Sequence, residues 1–190
     1  MKRITDIIFS LISMILLLPI FLLSAILVRF SSPGGILYKQ IRLGENGTHF
    51  TLYKIRTMYV GSEKNTGPIW ANKNDSRITS TGRVLRKFHL DEIPQLYNVL
   101  KGQMSIVGPR PERPKIVDEL IKEIPYYSHR LQVKPGITGW AQINKGYDRS
   151  MDDVYTKIKN DLYYIENRSL FLDIKILLLT VWTMIMGRGQ

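Results

Sequence analysis

Apolar residues crowd the first thirty positions of the chain and then thin into short periodic stretches. From Ile7 to Val28 no residue carries a charge, and at ~1.5 Å per residue this run reaches ~33 Å as a helix, about one hydrocarbon thickness. It is longer than the apolar part of a secretory signal, and Val28-Arg29-Phe30 leads into Ser31-Ser32-Pro33-Gly34-Gly35 with no small-residue cleavage site, so it is expected to remain as a membrane anchor. Pro19 removes one backbone hydrogen bond inside it and kinks it. Two geometries follow. Bent sharply at Leu18-Pro19, the arms reach only ~22 and ~16 Å, so the segment enters and leaves by one face; kinked gently, it spans. Lys2 and Arg3 precede it and Arg29, Lys39 and Arg42 follow, so the charge asymmetry that orients a spanning helix is missing.

Beyond the Ser-Ser-Pro-Gly-Gly break, Ile36 to Arg42 and Phe50 to Arg56 are β-prone runs joined by Gly44-Glu45-Asn46-Gly47, a hairpin signal. Residues 61 to 76 read as a polar loop. Helical spacing predicts helices from Ser80 to Phe88 and from Asp91 to Leu100, the second closed by Lys101-Gly102. Met104 to Val107 reads as a short strand. Gly108-Pro109-Arg110-Pro111-Glu112-Arg113-Pro114, with three prolines in seven positions, must be a stiff loop. Pro114 to Ile124 and Met151 to Asn167 are amphipathic helices, with a turn-rich Lys134 to Asn144 between them. Asp173 and Lys175 interrupt the apolar C-terminal stretch, whose clean run Ile176 to Met186 is 11 residues. That is too short to span, so it reads either as an interfacial or docked helix or as a buried core helix.

Composition narrows the chemistry. The 190 residues include no cysteine, which excludes disulfides, thiolate metal sites and cysteine nucleophiles. An apolar share of 44% is enough for a packed core. Lys and Arg number 27 against 16 Asp and Glu, a net charge of +11, so the natural partner should be anionic: nucleic acid, acidic lipid or a phosphorylated small molecule. No P-loop or dinucleotide glycine motif is present, and the three histidines show no zinc spacing.

Between Lys73 and Lys115 there are nine basic residues and four acidic ones, and two of the acids, Asp91 and Glu92, are adjacent. Asp91 at a helix start has a structural use, capping the first turn. The same position, near Arg86, Lys87 and Arg110, would keep it ionised and draw in a phosphate. Two neighbouring carboxylates can hold Mg²⁺ with substrate phosphates, and one can attack phosphorus to give an acyl phosphate. Arg110, held by prolines, suits bidentate phosphate contact. Lys54 and Arg56 alternate in a strand and so share a face; both these and Arg110 could equally be solvated cations.

Taken together, Lys54-Ile55-Arg56-Thr57-Met58, Leu90-Asp91-Glu92-Ile93-Pro94-Gln95-Leu96, Ser105-Ile106-Val107-Gly108-Pro109-Arg110-Pro111-Glu112, Lys134-Pro135-Gly136-Ile137-Thr138-Gly139-Trp140-Ala141-Gln142 and Leu172-Asp173-Ile174-Lys175 resemble the bacterial sugar transferase family, the monotopic phosphoglycosyl transferases. The likeness runs to about residue 180 and matches the small form without an extra transmembrane domain. It implies an α/β catalytic domain over residues 31–190, mainly helical with a small sheet and a C-terminal interfacial helix. It implies that residues 1–30 form a re-entrant membrane helix broken near Leu18-Pro19, with the active site on the cytoplasmic face of the bacterial inner membrane. The implied reaction moves a sugar-1-phosphate from a UDP-sugar to undecaprenyl phosphate, releasing UMP, with Mg²⁺ and a covalent aspartyl-phosphosugar intermediate, as the first membrane step of exopolysaccharide or glycoconjugate assembly. Asp91 would be the nucleophile, Glu92 would hold metal or assist, and Arg110, Lys54, Arg56, Arg86 and Asp161 would serve phosphate and nucleotide. Partners would be membrane lipids and these two substrates rather than nucleic acid. The Gly-Pro-Arg-Pro-Glu variant leans toward a plain hexose such as galactose or glucose.

The chain departs from the family pattern at Lys145, where relatives often carry the arginine of Gln-Val-Asn-Gly-Arg, at Asn160, where tyrosine is common, and at Arg168, where many hexose transferases have tryptophan. These positions bear on sugar and nucleotide contacts more than on phosphoryl transfer. Two other function classes compete. A membrane-anchored nucleic-acid or anionic-lipid binding module would show salt-dependent oligonucleotide binding. A nucleotide-sugar pyrophosphatase would release UMP without a lipid acceptor.

Overall fold

A computed structural model describes residues 2–62, 75–144 and 151–186. Helix α1 (Lys2–Ser31) leads into a hairpin of β1 (Leu37–Leu43) and β2 (His49–Ile55). Then follow α2 (Ser80–Lys87), a 3₁₀ turn at Leu90–Glu92, α3 (Gln95–Leu100), β3 (Ser105–Val107), α4 (Pro114–Glu123), a 3₁₀ stretch at Pro125–Gln132, β4 (Gly136–Thr138), α5 (Trp140–Asn144), α6 (Met151–Asn167) and α7 (Leu170–Ile185). The fold is mostly helical. The expected single small sheet is two separate pairs: β1 and β2 antiparallel, and β3 and β4 parallel.

The hairpin turns where Asn46 and Gly47 take φ values of 55° and 74°, the left-handed region that Asn and Gly enter at least cost. The parallel pair depends on glycine for a different reason. A Cβ on Gly136 would lie 2.1 Å from the Gly108 nitrogen, so only a bare backbone lets the Gly108-Pro109-Arg110 loop cross this close.

The main core joins Phe50 and Leu52 of β2, Leu96 and Val99 of α3, Met104, Ile106, Tyr164 of α6, and Leu172 and Ile176 of α7. A second cluster packs Leu43, Val117, Leu120, Ile124 and Tyr127 against Val154 and Ile158 of α6. Helix α7 is docked on the core by one face and bare on the other: Leu172 and Ile176 are buried, while Phe171, Ile174, Leu178 and Trp182 face outward.

The break expected near Leu18-Pro19 does not interrupt the helix: α1 stays helical through Pro19. It rests on the domain along a stripe, with Asp6, Ser10, Ser24, Ala25 and Val28 buried and Ser13, Leu17 and Phe21 half-buried at spacings of three and four. Its other faces are apolar and bare: Ile15, Leu16 and Leu23 are 72%, 69% and 58% exposed. The N-terminal end is tied down by charge. Lys2 Nζ meets Asp173 at 2.5 Å, Arg3 donates to the carbonyl oxygens of Val99 and Leu100 at 2.5 and 2.7 Å, and Asp6 accepts from Ser105 Oγ and Ile106 N at 3.0 and 3.1 Å. The C-terminal end packs Val28 against Ile55 and Leu85. Both ends of α1 therefore rest on the same domain.

Candidate active site

The site begins at a strained residue. His89 takes φ 54°, the left-handed region, which costs a non-glycine residue roughly 1–2 kcal/mol. It opens the 3₁₀ turn Leu90–Glu92, and Pro94 then delays α3 until Gln95. The expected helix from Asp91 to Leu100 is thus split, and Asp91 is not a helix cap: His89 holds the cap position and no side chain caps the turn. The turn buries both carboxyl groups, Asp91 and Glu92 each at 6% exposure.

The two acids differ in their company. Glu92 Oε1 accepts from Lys54 Nζ and from Arg110 Nη2, each at 2.7 Å. Asp91 makes no hydrogen bond or ion pair to any described residue. Burial pushes the Asp91 carboxyl up from its ordinary value, with Lys54 opposing and the Glu92 charge adding to the rise. Burial also works against ionisation of Glu92, but Arg110 and then Lys54 outweigh it and hold Glu92 well below the usual carboxylate range. In return Glu92 raises Arg110, against burial. For Lys54, burial wins over the pull of Glu92 and lowers it. One carboxylate is a fixed anion in a cationic clamp; the other is largely buried and unengaged, a separation of environments that suits two acids to two roles.

The remaining candidate residues fall into three places. Lys54 and Arg110 join the Glu92 clamp directly. Arg86 donates to Thr57 Oγ1 at 2.9 Å and contributes to the positive field at Asp91. Arg56 does not share the face of Lys54, because β2 ends at Ile55; its guanidinium is buried and donates to Gly35 O, Ser32 Oγ, Pro33 O and Ser32 O at 2.7 to 2.9 Å, stapling the linker after α1. Asp161 on α6 is buried behind the site, 2.8 Å from Arg130. Lys145 lies outside the described residues, as does most of the loop read from 61 to 76. Asn160 donates only to the Thr156 carbonyl, and Arg168 is exposed before α7.

Two residues that sequence reasoning missed support the site from below. Arg130, 3% exposed, donates to Asp161, to Tyr127 Oη and to the Arg110 carbonyl oxygen. Glu112 binds Arg42 and Lys157 at 3.2 and 3.0 Å, fastening the proline loop to β1 and α6. Glu112 lay within the quoted motif. The only signal for Arg130 was a basic residue four positions before Lys134.

The chain matches the bacterial sugar transferase family model over residues 1–187. It belongs to the bacterial sugar transferase family. It is 44% identical over 188 residues to a UDP-N-acetylgalactosamine-undecaprenyl-phosphate N-acetylgalactosaminephosphotransferase of Aeromonas hydrophila, covering 99% of this chain and 44% of that protein. A UDP-glucose:undecaprenyl-phosphate glucose-1-phosphate transferase of Xanthomonas campestris pv. campestris is also 44% identical, over 94% of this chain and 37% of its own length. A protein of the same description from Caulobacter vibrioides is 39% identical, over 95% of this chain and 68% of its own length. The sugar transferase chain thus spans under half the length of the first two relatives.

Proposed function

We propose that this chain transfers a sugar-1-phosphate from a UDP-sugar to undecaprenyl phosphate and releases UMP. The observation that carries this reading is the contrast at the 3₁₀ turn: an unengaged, largely buried Asp91 beside a Glu92 clamped by Lys54 and Arg110. An Asp91 oxygen attacks the β-phosphorus; the bond from that phosphorus to the bridging oxygen breaks, and UMP leaves with that oxygen. The phosphosugar is then held on Asp91 as an acyl phosphate. An oxygen of undecaprenyl phosphate attacks the same phosphorus, and the Asp91 carboxylate leaves unchanged. Arg110 and Lys54, beside the acidic pair, would meet the negative charge of the diphosphate, and Arg86 would add to that field.

Magnesium fits this donor set. The Asp91 oxygens and Glu92 Oε2 have no hydrogen-bond partner among the described residues, and a hard cation takes one or two carboxylates together with substrate phosphates. Among the described residues no cluster of three or more ligating side chains is present, so donor phosphates would complete the shell. When bound, the ion would offset diphosphate charge; Asp91 and Glu92 would hold it.

The geometry of α1 supports monotopic anchoring, and the reading puts the site on the cytoplasmic face. A helix with both ends on one polar domain places them on opposite sides of a bilayer only if that domain crosses as well. A polyprenol phosphate presents its headgroup at the bilayer surface, where such a domain would meet it.

The relatives divide between N-acetylgalactosamine and glucose donors at equal identity, so the donor sugar is tested as a panel. UMP release by the solubilised chain with undecaprenyl phosphate and magnesium should appear for at least one UDP-sugar and vanish in Asp91→Asn. UMP released without the lipid acceptor at the same steady rate would instead make the protein a pyrophosphatase.

A further inference from the structure

A cavity of about 180 Å³ lies where the start of α1 meets the β3–β4 pair and α6, sharing no residue with the Glu92 clamp. Its walls carry four cations, Lys2, Arg3, Lys134 and Arg168, against two acids, Asp6 and Glu45. Several of these charges are already spoken for. Lys2 is paired with Asp173, and Asp6 is satisfied by Ser105 and Ile106. Arg3 is held by carbonyl oxygens at the end of α3 and ion-pairs with no described residue. Lys134 and Arg168 neither hydrogen-bond nor ion-pair with any described residue.

The cations also converge. A Cβ placed on Gly102 would lie 3.4 Å from Arg3 Nη2 and 3.9 Å from Lys134 Nζ, so two like charges approach one spot on the cavity's edge. Such crowding costs energy unless an anion sits there. The volume is below the ~300 Å³ of pockets that enclose drug-sized ligands, and suits a headgroup rather than a nucleotide sugar.

The surroundings identify the source of the anion. Ile4 and Ile8 of α1 are 63% and 53% exposed, and Phe171 and Ile174 of α7 are 79% and 48% exposed. The Lys2–Asp173 pair brings these two helices together, so bare apolar surface flanks a cationic cavity. Free phosphate would have no use for that surface; acyl chains would. We propose that this cavity takes the phosphate headgroup of an anionic membrane lipid, with its chains lying against α1 and α7. A basic pocket beside a membrane helix is the general form of such recognition.

The test needs no UDP-sugar, so its outcome is separate from that of the transferase reading. The full chain in detergent is titrated with phosphatidylglycerol and with phosphatidylcholine, and retained lipid is counted by native mass spectrometry. Phosphatidylglycerol should be retained in preference, and Lys134→Gln with Arg168→Gln should weaken its retention roughly 30-fold, since each basic side chain beside an anionic headgroup changes the dissociation constant about fivefold. Arg168→Gln alone, at an exposed position, serves if the double variant fails to fold, with roughly a 5-fold loss expected. Retention unchanged in the variants overturns the proposal. Displacement of phosphatidylglycerol by millimolar inorganic phosphate overturns it too, by making this a free-phosphate site.

Discussion

The buried guanidinium of Arg130 donates to the backbone carbonyl oxygen of Arg110 at 2.8 Å, and so sets the residue that in turn grips Glu92. Asp161 neutralises Arg130 through Nε and the same Nη2 that donates to Arg110. The clamp around the acidic pair is thus held by a second ion pair that touches neither carboxylate. Lysine at position 130 keeps the charge for Asp161 but has no fork to reach both Asp161 and the Arg110 carbonyl. Arg130→Lys should fold and lose at least about tenfold in UMP release, carried by kcat. Arg130→Ala should also lose stability, on the order of 3 kcal/mol, because Asp161 stays buried without the Arg130 guanidinium. Thermal melts beside turnover assays check both; a Lys variant with normal turnover would remove Arg130 from the positioning of the site.

Asp91 carries a stability cost that its chemistry explains. Burial raises its carboxyl, so between the ordinary value of 3.8 and the folded value the native state holds more protons than the unfolded chain. Stability from this group therefore falls as pH rises through that window, and the penalty is complete above it. Asp91→Asn should abolish lipid-dependent UMP release while raising the melting temperature, and the gain should be larger at about pH 8 than at about pH 4. An equal gain at both pH values would show that ionisation of Asp91 costs the fold nothing.

What the sequence disclosed follows the range of the interactions. Helix α6 matches the expected Met151 to Asn167 because its period is local, and the hairpin matches because Asn46 and Gly47 sit where the turn needs left-handed backbone. The stretch Lys134 to Asn144 looked like turns because Gly136 and Gly139 break any pattern. Their smallness instead serves the close crossing of Gly108, which only the fold reveals. The 3₁₀ stretch Pro125–Gln132 left no period to read. At the site, Asp91 and Glu92 are neighbours and were legible as a pair. Arg130 and Asp161 stand 31 residues apart, and strand alternation placed Arg56 with Lys54 because it could not show β2 ending at Ile55.

Glu112 gives the opposite pH dependence to Asp91. Burial resists its ionisation, but Lys157 and then Arg42 overcome this and lower its carboxyl from 4.5 to about 2. The unfolded chain then takes up the proton first, so the stability this group contributes is complete above the ordinary value and is lost as pH falls toward 2. The shift corresponds to a contribution on the order of 3 kcal/mol at neutral pH. Glu112→Gln should be destabilised by about that amount near pH 7 and should lose less than the parent on acidification. Melting temperatures of the two chains across the acid range check this, and parallel acid limbs would contradict it.

The anchoring of α1 makes a topological prediction that this chain is well suited to test, since it contains no native cysteine. Thr5 and Gly35 are exposed and lie close to the two ends of the helix. Arg3 and Asp6 fix the first end to α3 and β3, and Arg56 fixes the linker after the second. If both ends stay on the domain in a bilayer, Thr5→Cys and Gly35→Cys should react with a membrane-impermeant maleimide from the same side. In inverted inner-membrane vesicles both should label, and in intact spheroplasts neither should. A spanning helix predicts the reverse for one of the two: labelling of a single position in each preparation would put the ends of α1 on opposite faces and would require the contacts of Lys2, Arg3 and Asp6 to break in the membrane.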